Sequence, residues 1–162
     1  MKAFCLLLTS ALLTPVMAQP QLSDCKRLFE NADACRAVRL VDSTWVAEAW
    51  DGGYAPGEEK FLGLVLQRTI PFEGIHLSLY VGVDASGTIT KVVVSETPAV
   101  EEEFLRQFSG RSRNDSLWLA QRTEDLLFVP APIKAMRGRE QLSAAILRHL
   151  QTALQAVSPP FR

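Results

Sequence analysis

Hydrophobic and polar positions change period several times along the 162-residue chain, and each change marks an element. Ile75, Leu77, Leu79, Val81 and Val83 alternate with His76, Ser78, Tyr80, Gly82 and Asp84. A period of two held over that length predicts a long strand with one buried face. Asp84-Ala85-Ser86-Gly87 has turn chemistry, and Thr88 to Ser95, with Ile89, Val92, Val93 and Val94, supplies the return strand of a hairpin. Upstream, Trp45, Ala47 and Ala49 alternate with Val46, Glu48 and Trp50, so Thr44 to Trp50 reads as a strand. Cys35 to Val41 is a less regular extended run. Asp51-Gly52-Gly53 and Pro56-Gly57 break the chain before Phe61 to Gln67 resumes strand character.

Three stretches carry the three- and four-residue spacing of helices. Leu22, Cys25, Leu28 and Phe29 share one face of a short helix with Ser23 or Asp24 as N-cap, stopped at Asn31-Ala32-Asp33. Thr97 can cap a second helix that starts at Pro98, carries Glu101, Glu102 and Glu103 in its first turns, buries Val100, Phe104 and Phe108, and ends at Gly110. From Glu140 onward, Leu142, Ala145, Ile146, His149, Leu150, Ala153, Leu154 and Val157 form the apolar stripe of a last helix. Between these, Ser116 to Ala120 reads as one more short strand, Gln121 to Asp125 as a connection, and Pro130-Ala131-Pro132 as an extended approach to the last helix. The sum is a single α+β domain: an antiparallel sheet with a short N-terminal helix, a helix after the central hairpin and a C-terminal helix.

Composition sets the compartment. Lys2, the apolar run Ala3 to Leu13, and small residues at Val16 and Ala18 read as a secretory leader cut after Ala18, too short to span a bilayer. Of the 162 residues, 18 belong to that leader and 144 to residues 19–162, which form the domain. Without Lys2 there are 16 basic against 18 acidic side chains, a net charge of −2 spread along the chain, which gives nucleic acid no footprint. Cys5 falls in the leader, so Cys25 and Cys35 remain as a disulfide pair for an oxidising compartment. The residues before Cys25, Leu22-Ser23-Asp24, do not suit lipid attachment, and the chain has no CxxC.

Hydrolytic and metal chemistry lack their parts. His76 lies on the polar face of a strand and His149 in a helical apolar stripe, where a hydrogen-bonded core histidine is the common case. There is no GxSxG, no HExxH and no Cys or His cluster at ligand spacing. Glu101-Glu102-Glu103 reads as a solvated helix start, and Trp45, Trp50 and Trp118 as core residues or walls for a flat ligand. What remains is the turn Arg137-Gly138-Arg139. It stands at the N-terminus of the last helix, where free backbone N–H groups, the positive end of the helix dipole and two guanidinium groups suit a phosphate. A loop ending in solvated arginines is the alternative.

The order of these elements carries a resemblance. Leu28-Phe29-Glu30-Asn31-Ala32-Asp33, Asp51-Gly52-Gly53-Tyr54, Gly74-Ile75, Val81-Gly82-Val83-Asp84 with Gly87 and Ile89, Glu96-Thr97-Pro98 and the segment Lys134 to Ile146 together resemble the FMN-binding domain family. That family includes the G subunit of Rnf complexes and the C subunit of the sodium-pumping quinone reductase. The resemblance covers nearly all of residues 19–162 and implies a flavin-carrying α+β domain on the outer side of an inner membrane. In the family, the last helix opens with Asp-Ala-Ile-Ser-Gly-Ala-Thr-x-Thr-Ser-x-Ala-Val, and the second threonine carries FMN through a phosphoester bond. Here Ala135, Gly138, Ser143 and Ala145 match, with Met136 and Ile146 as conservative replacements. Lys134, Arg137, Arg139, Glu140 and Leu142 depart from the pattern.

Leu142 stands at the attachment position and has no hydroxyl, so the phosphoester bond cannot form there; Ser143 is one residue out of register. Two readings follow. In one, FMN is held without a covalent bond: Arg137, Gly138 and Arg139 take the phosphate, Glu96 and Thr97 border the ring, and the domain transfers electrons in or near a membrane redox complex or to a periplasmic electron-transfer protein. Against it stands Glu140, whose carboxylate repels a phosphate unless it turns outward or pairs with an arginine. In the other, the scaffold has lost the flavin and serves as a periplasmic interaction or assembly partner.

Overall fold

A computed structural model describes residues 18–52, 57–95, 100–120, 122–127 and 131–157. Five strands run as an antiparallel meander in chain order: β1 (Ala34–Val41), β2 (Thr44–Asp51), β3 (Lys60–Phe72), β4 (Ile75–Val83) and β5 (Ile89–Ser95). The helix α1 (Leu22–Leu28) precedes them, α2 (Glu102–Arg106) follows, and α3 (Glu140–Gln155) closes the chain. Two short strands, β6 (Leu119–Ala120) and β7 (Ile133–Lys134), pair in parallel between α2 and α3, with a 3-10 turn at Thr123–Leu127 between them. The mixed antiparallel α+β architecture is the one the periodicity predicts.

Pleating sorts the sheet residues to two faces. The row Val46, Leu66, Val81 and Val92 runs across β2 to β5 on one face. With Leu64, Leu79, Val83 and Ile89 it packs against Ile146, Leu150, Ala153 and Leu154 of α3 and against Phe104 and Phe108 below α2. Burying one large aliphatic side chain contributes about 1.5–3 kcal/mol, so this face is the main core. The opposite face, Ala47, Ala49, Val65 and Tyr80, receives Cys25 and Leu28 of α1. Small residues admit that helix: a Cβ on Gly82 would stand 2.6 Å from Thr90 Oγ1 and 3.2 Å from Leu28 Cβ, and one on Gly63 would meet the Phe29 ring at 2.6 Å. A disulfide joins Cys25 of α1 to Cys35 of β1, as the cysteine count suggests.

The hairpin β3–β4 extends beyond the expected Phe61 to Gln67. Ile70, Pro71 and Phe72 pair with Leu77, His76 and Ile75, and the turn is only Glu73-Gly74. Both turn residues have positive φ, 47° and 81°, the geometry that follows the right-handed strand twist. Pro71 is tolerated because β2 pairing ends at Gln67, so its missing N–H faces no partner strand.

Three boundaries differ from the sequence reading. α1 opens at Leu22 with Gln21 as N-cap, not Ser23 or Asp24, because Asp24 sits at the third helical position and its carboxylate reaches back to the Gln21 N–H at 2.9 Å. α2 is five residues long and starts at Glu102. The chain before it is tied elsewhere, the Glu101 N–H reaching Met136 Sδ at 3.4 Å. Thr97 and Pro98, its expected cap and first residue, lie outside the described residues. The strand expected over Ser116 to Ala120 is only Leu119–Ala120, with β7 as its partner.

Candidate functional site

The connection from β7 into α3 is fixed residue by residue. Gln107 clamps β7 through both amide atoms: Oε1 accepts the Lys134 N–H at 2.8 Å and Nε2 donates to the Lys134 carbonyl at 3.1 Å. The Ala135 N–H donates to the Ala120 carbonyl at 3.1 Å, and Met136 is buried in the main core. Gly138 then takes φ 71°, which turns the chain into the helix. Arg139 is the N-cap residue, with no side-chain cap bond.

Two side chains inside α3 satisfy the turn. Ser143, fully buried, accepts the Met136 N–H at 2.9 Å and donates to the Arg139 carbonyl at 3.0 Å. Glu140 folds back so that Oε1 accepts the Gly138 N–H at 2.9 Å. Its own N–H and that of Gly138 hold its carboxyl below the ordinary value, so it stays an anion. A carboxylate at the first turn also suits the helix dipole. The N–H groups that a bound phosphate would use are therefore shared with a carboxylate of the same chain.

A cavity of about 380 Å³ opens beside this turn, walled by Phe72 and Glu73 of the β3–β4 hairpin and by Gly138, Arg139, Glu140, Gln141 and Leu142. A separate hollow of about 210 Å³ holds Arg137 with Lys134, Arg122, Leu126 and, again, Glu140. The two arginines thus border different hollows, with Glu140 between them. Each is exposed at the surface. Leu142 is 5% exposed and brings no donor or acceptor to the larger cavity.

Of the residues singled out by sequence, Arg137, Gly138 and Arg139 lie together in the turn, while Glu96 and Thr97 lie outside the described residues. The Glu101 N–H bonds to Met136, the residue before Arg137. No tryptophan lines the larger cavity: Trp50 packs edge-on against Phe61 at 5.3 Å, and Trp118, 43% exposed, borders a shallow hollow with Leu147 and Arg148. Phe72 is the aromatic wall instead. Sequence reading passed over Phe72 and Glu73 because a Glu-Gly turn lacks the Asn-Gly or Asp-Gly signature that marks a tight hairpin.

His149 is half-buried, and its Nδ1 accepts the Arg68 Nε–H at 3.1 Å, which fits the hydrogen-bonded histidine expected in that stripe. His76 is exposed opposite Pro71. Among the described residues no three of His, Cys, Asp and Glu gather as a metal site, and no helix is long and apolar enough to cross a membrane. In comparisons with known proteins, no family model and no curated protein matches the chain.

Proposed function

We propose that this chain is an exported binding module that resembles the flavin-carrying domains in scaffold but has given up the flavin, and that it serves as an interaction or assembly partner at a membrane redox complex. The observation that carries this reading is the Glu140 carboxylate on the Gly138 N–H, in the turn that the resemblance assigns to the flavin phosphate. Arg137 and Arg139 border separate hollows, with Glu140 on both. Covalent attachment is also without a donor: Leu142 has no hydroxyl, and both bonds of the Ser143 hydroxyl are committed inside the turn. On this reading the residues of the turn do not fit an FMN phosphate. Export rests on the leader-like residues 1–18 and on the Cys25–Cys35 disulfide.

A second reading, non-covalent FMN for electron transfer, draws on the cavity of about 380 Å³ beside Arg139, with Phe72 as an aromatic wall. Visible absorbance of the protein purified from the periplasm of a host with an active flavin transferase separates the two. The partner reading expects a colourless protein. Yellow colour released into the supernatant on acid precipitation establishes the second reading, and colour retained in the pellet overturns the account of the α3 turn altogether.

A further inference from the structure

A polar contact between α3 and the sheet lies two turns beyond the site. Arg68, near the end of β3, donates from Nε to His149 Nδ1 at 3.1 Å and from Nη1 to the Asp42 carbonyl at 2.7 Å and to Thr44 Oγ1 at 3.0 Å. One guanidinium thus joins α3, β3 and the β1–β2 turn. Thr44 is fully buried, and Arg68 is a donor to its hydroxyl. The bond to His149 needs a lone pair on Nδ1, which only a neutral imidazole carrying its proton on Nε2 provides.

We propose that the Arg68–His149 bond is an acid-sensitive latch, in which protonation of His149 releases Arg68 and frees the β1–β2 turn from α3. A proton from solvent adds to Nδ1, the atom that accepts the bond. The imidazolium has two donors and no acceptor, so the bond is lost and two cations face each other across the former contact. The charges that act on His149 are Arg68 from β3 and Arg148 from α3 itself, and Asp42 in the turn offers its backbone carbonyl to Arg68. The other strands packed on α3 carry buried apolar residues, Leu77, Leu79 and Val81 in β4 and Leu119 and Ala120 in β6. Burial, followed by the charges of Arg68 and Arg148, holds the His149 imidazole below its ordinary value, which sets the transition on the acid side of neutrality. The titrating member of the switch is His149. The inference is independent of whether flavin binds.

The test is a pH titration by heteronuclear NMR of the full domain, following the His149 ring nitrogens and the backbone amides of Asp42, Ser43 and Thr44. Near neutrality His149 should show the Nε2–H tautomer, and its midpoint should lie below the ordinary 6.5, with the turn amides moving at the same midpoint. In His149→Gln the amide oxygen still accepts from Arg68, and the turn amides should lose their acid transition. Arg68→Met should raise the His149 midpoint by removing the first cation. Turn amides that titrate unchanged in His149→Gln, or a His149 midpoint at or above 6.5 in the wild-type domain, overturn the latch. The wild-type titration alone decides the matter should a variant fold poorly.

Discussion

Replacing both Cys25 and Cys35 with alanine should lower stability by an amount that the chain length between them sets. The two are ten residues apart, and closing a loop of that size in the unfolded chain removes about 2.7 kcal/mol of conformational entropy in the chain-entropy model. Cys25 is fully buried between α1 and the sheet, so losing its sulfur adds to that figure. Alanine avoids the unpaired hydroxyl that serine would bury there. For a domain of this size the loss corresponds to a fall in Tm of about 10 °C. Thermal and urea unfolding of the oxidised protein, the protein with dithiothreitol, and the double variant provide the assay. Reduction should reproduce most of the variant's loss, and α1, which rests on the sheet through Cys25 and Leu28, should lose amide protection first. A double variant within about 1 kcal/mol of wild type, together with no effect of dithiothreitol, would refute the reasoning.

Three further outcomes follow from the packing and the titrating groups. Ser143→Ala removes the acceptor of the buried Met136 N–H and should cost about 1–3 kcal/mol by chemical denaturation, whereas the exposed Gln141→Ala should change little. Gly82→Ala places a methyl against Thr90 and Leu28 and should cost about 1–3 kcal/mol, readable as a lowered urea midpoint with an unchanged slope. His149 has a folded-state pKa below its ordinary 6.5, so the unfolded chain binds more protons and stability should fall as pH drops through 6.5 towards the folded value; a flat profile in that window, equal to that of His149→Gln, contradicts the Arg68 contact.

Much of the architecture is legible in the chain because burial and period agree. The alternation at Ile75 to Val83 leaves one register for β4, and the stripe from Leu142 to Leu154 fixes the buried face of α3. Cys25 and Cys35 are few enough to pair without ambiguity. Where the sequence misleads, tertiary contacts decide. α2 begins late because the Glu101 N–H before it is held by Met136, a residue 35 positions away that no local pattern reveals. β7 is two residues long and depends on β6 for its existence. At the candidate site, the positions of Arg137, Gly138, Arg139 and Glu140 at a helix N-terminus are readable from the apolar stripe that follows them. The direction of the Glu140 side chain is not, since a glutamate at that position can face solvent, an arginine or the backbone with similar local energy, and the Gly138 conformation settles it. Likewise, nothing in the spacing of Arg137 and Arg139 tells that they open onto different hollows.

The account turns on whether Glu140 holds the anion position for itself. The most direct measurement is a titration of the flavin-free domain with FMN and, separately, with riboflavin, followed by flavin fluorescence, for wild type, Glu140→Gln and the double variant Arg137→Ala with Arg139→Ala. The account predicts no saturable binding of either ligand to wild type, and a gain of FMN over riboflavin only in Glu140→Gln, where the competing charge is gone. Saturable wild-type binding of FMN in preference to riboflavin, lost in the double arginine variant, would contradict it and restore the domain as a flavin carrier.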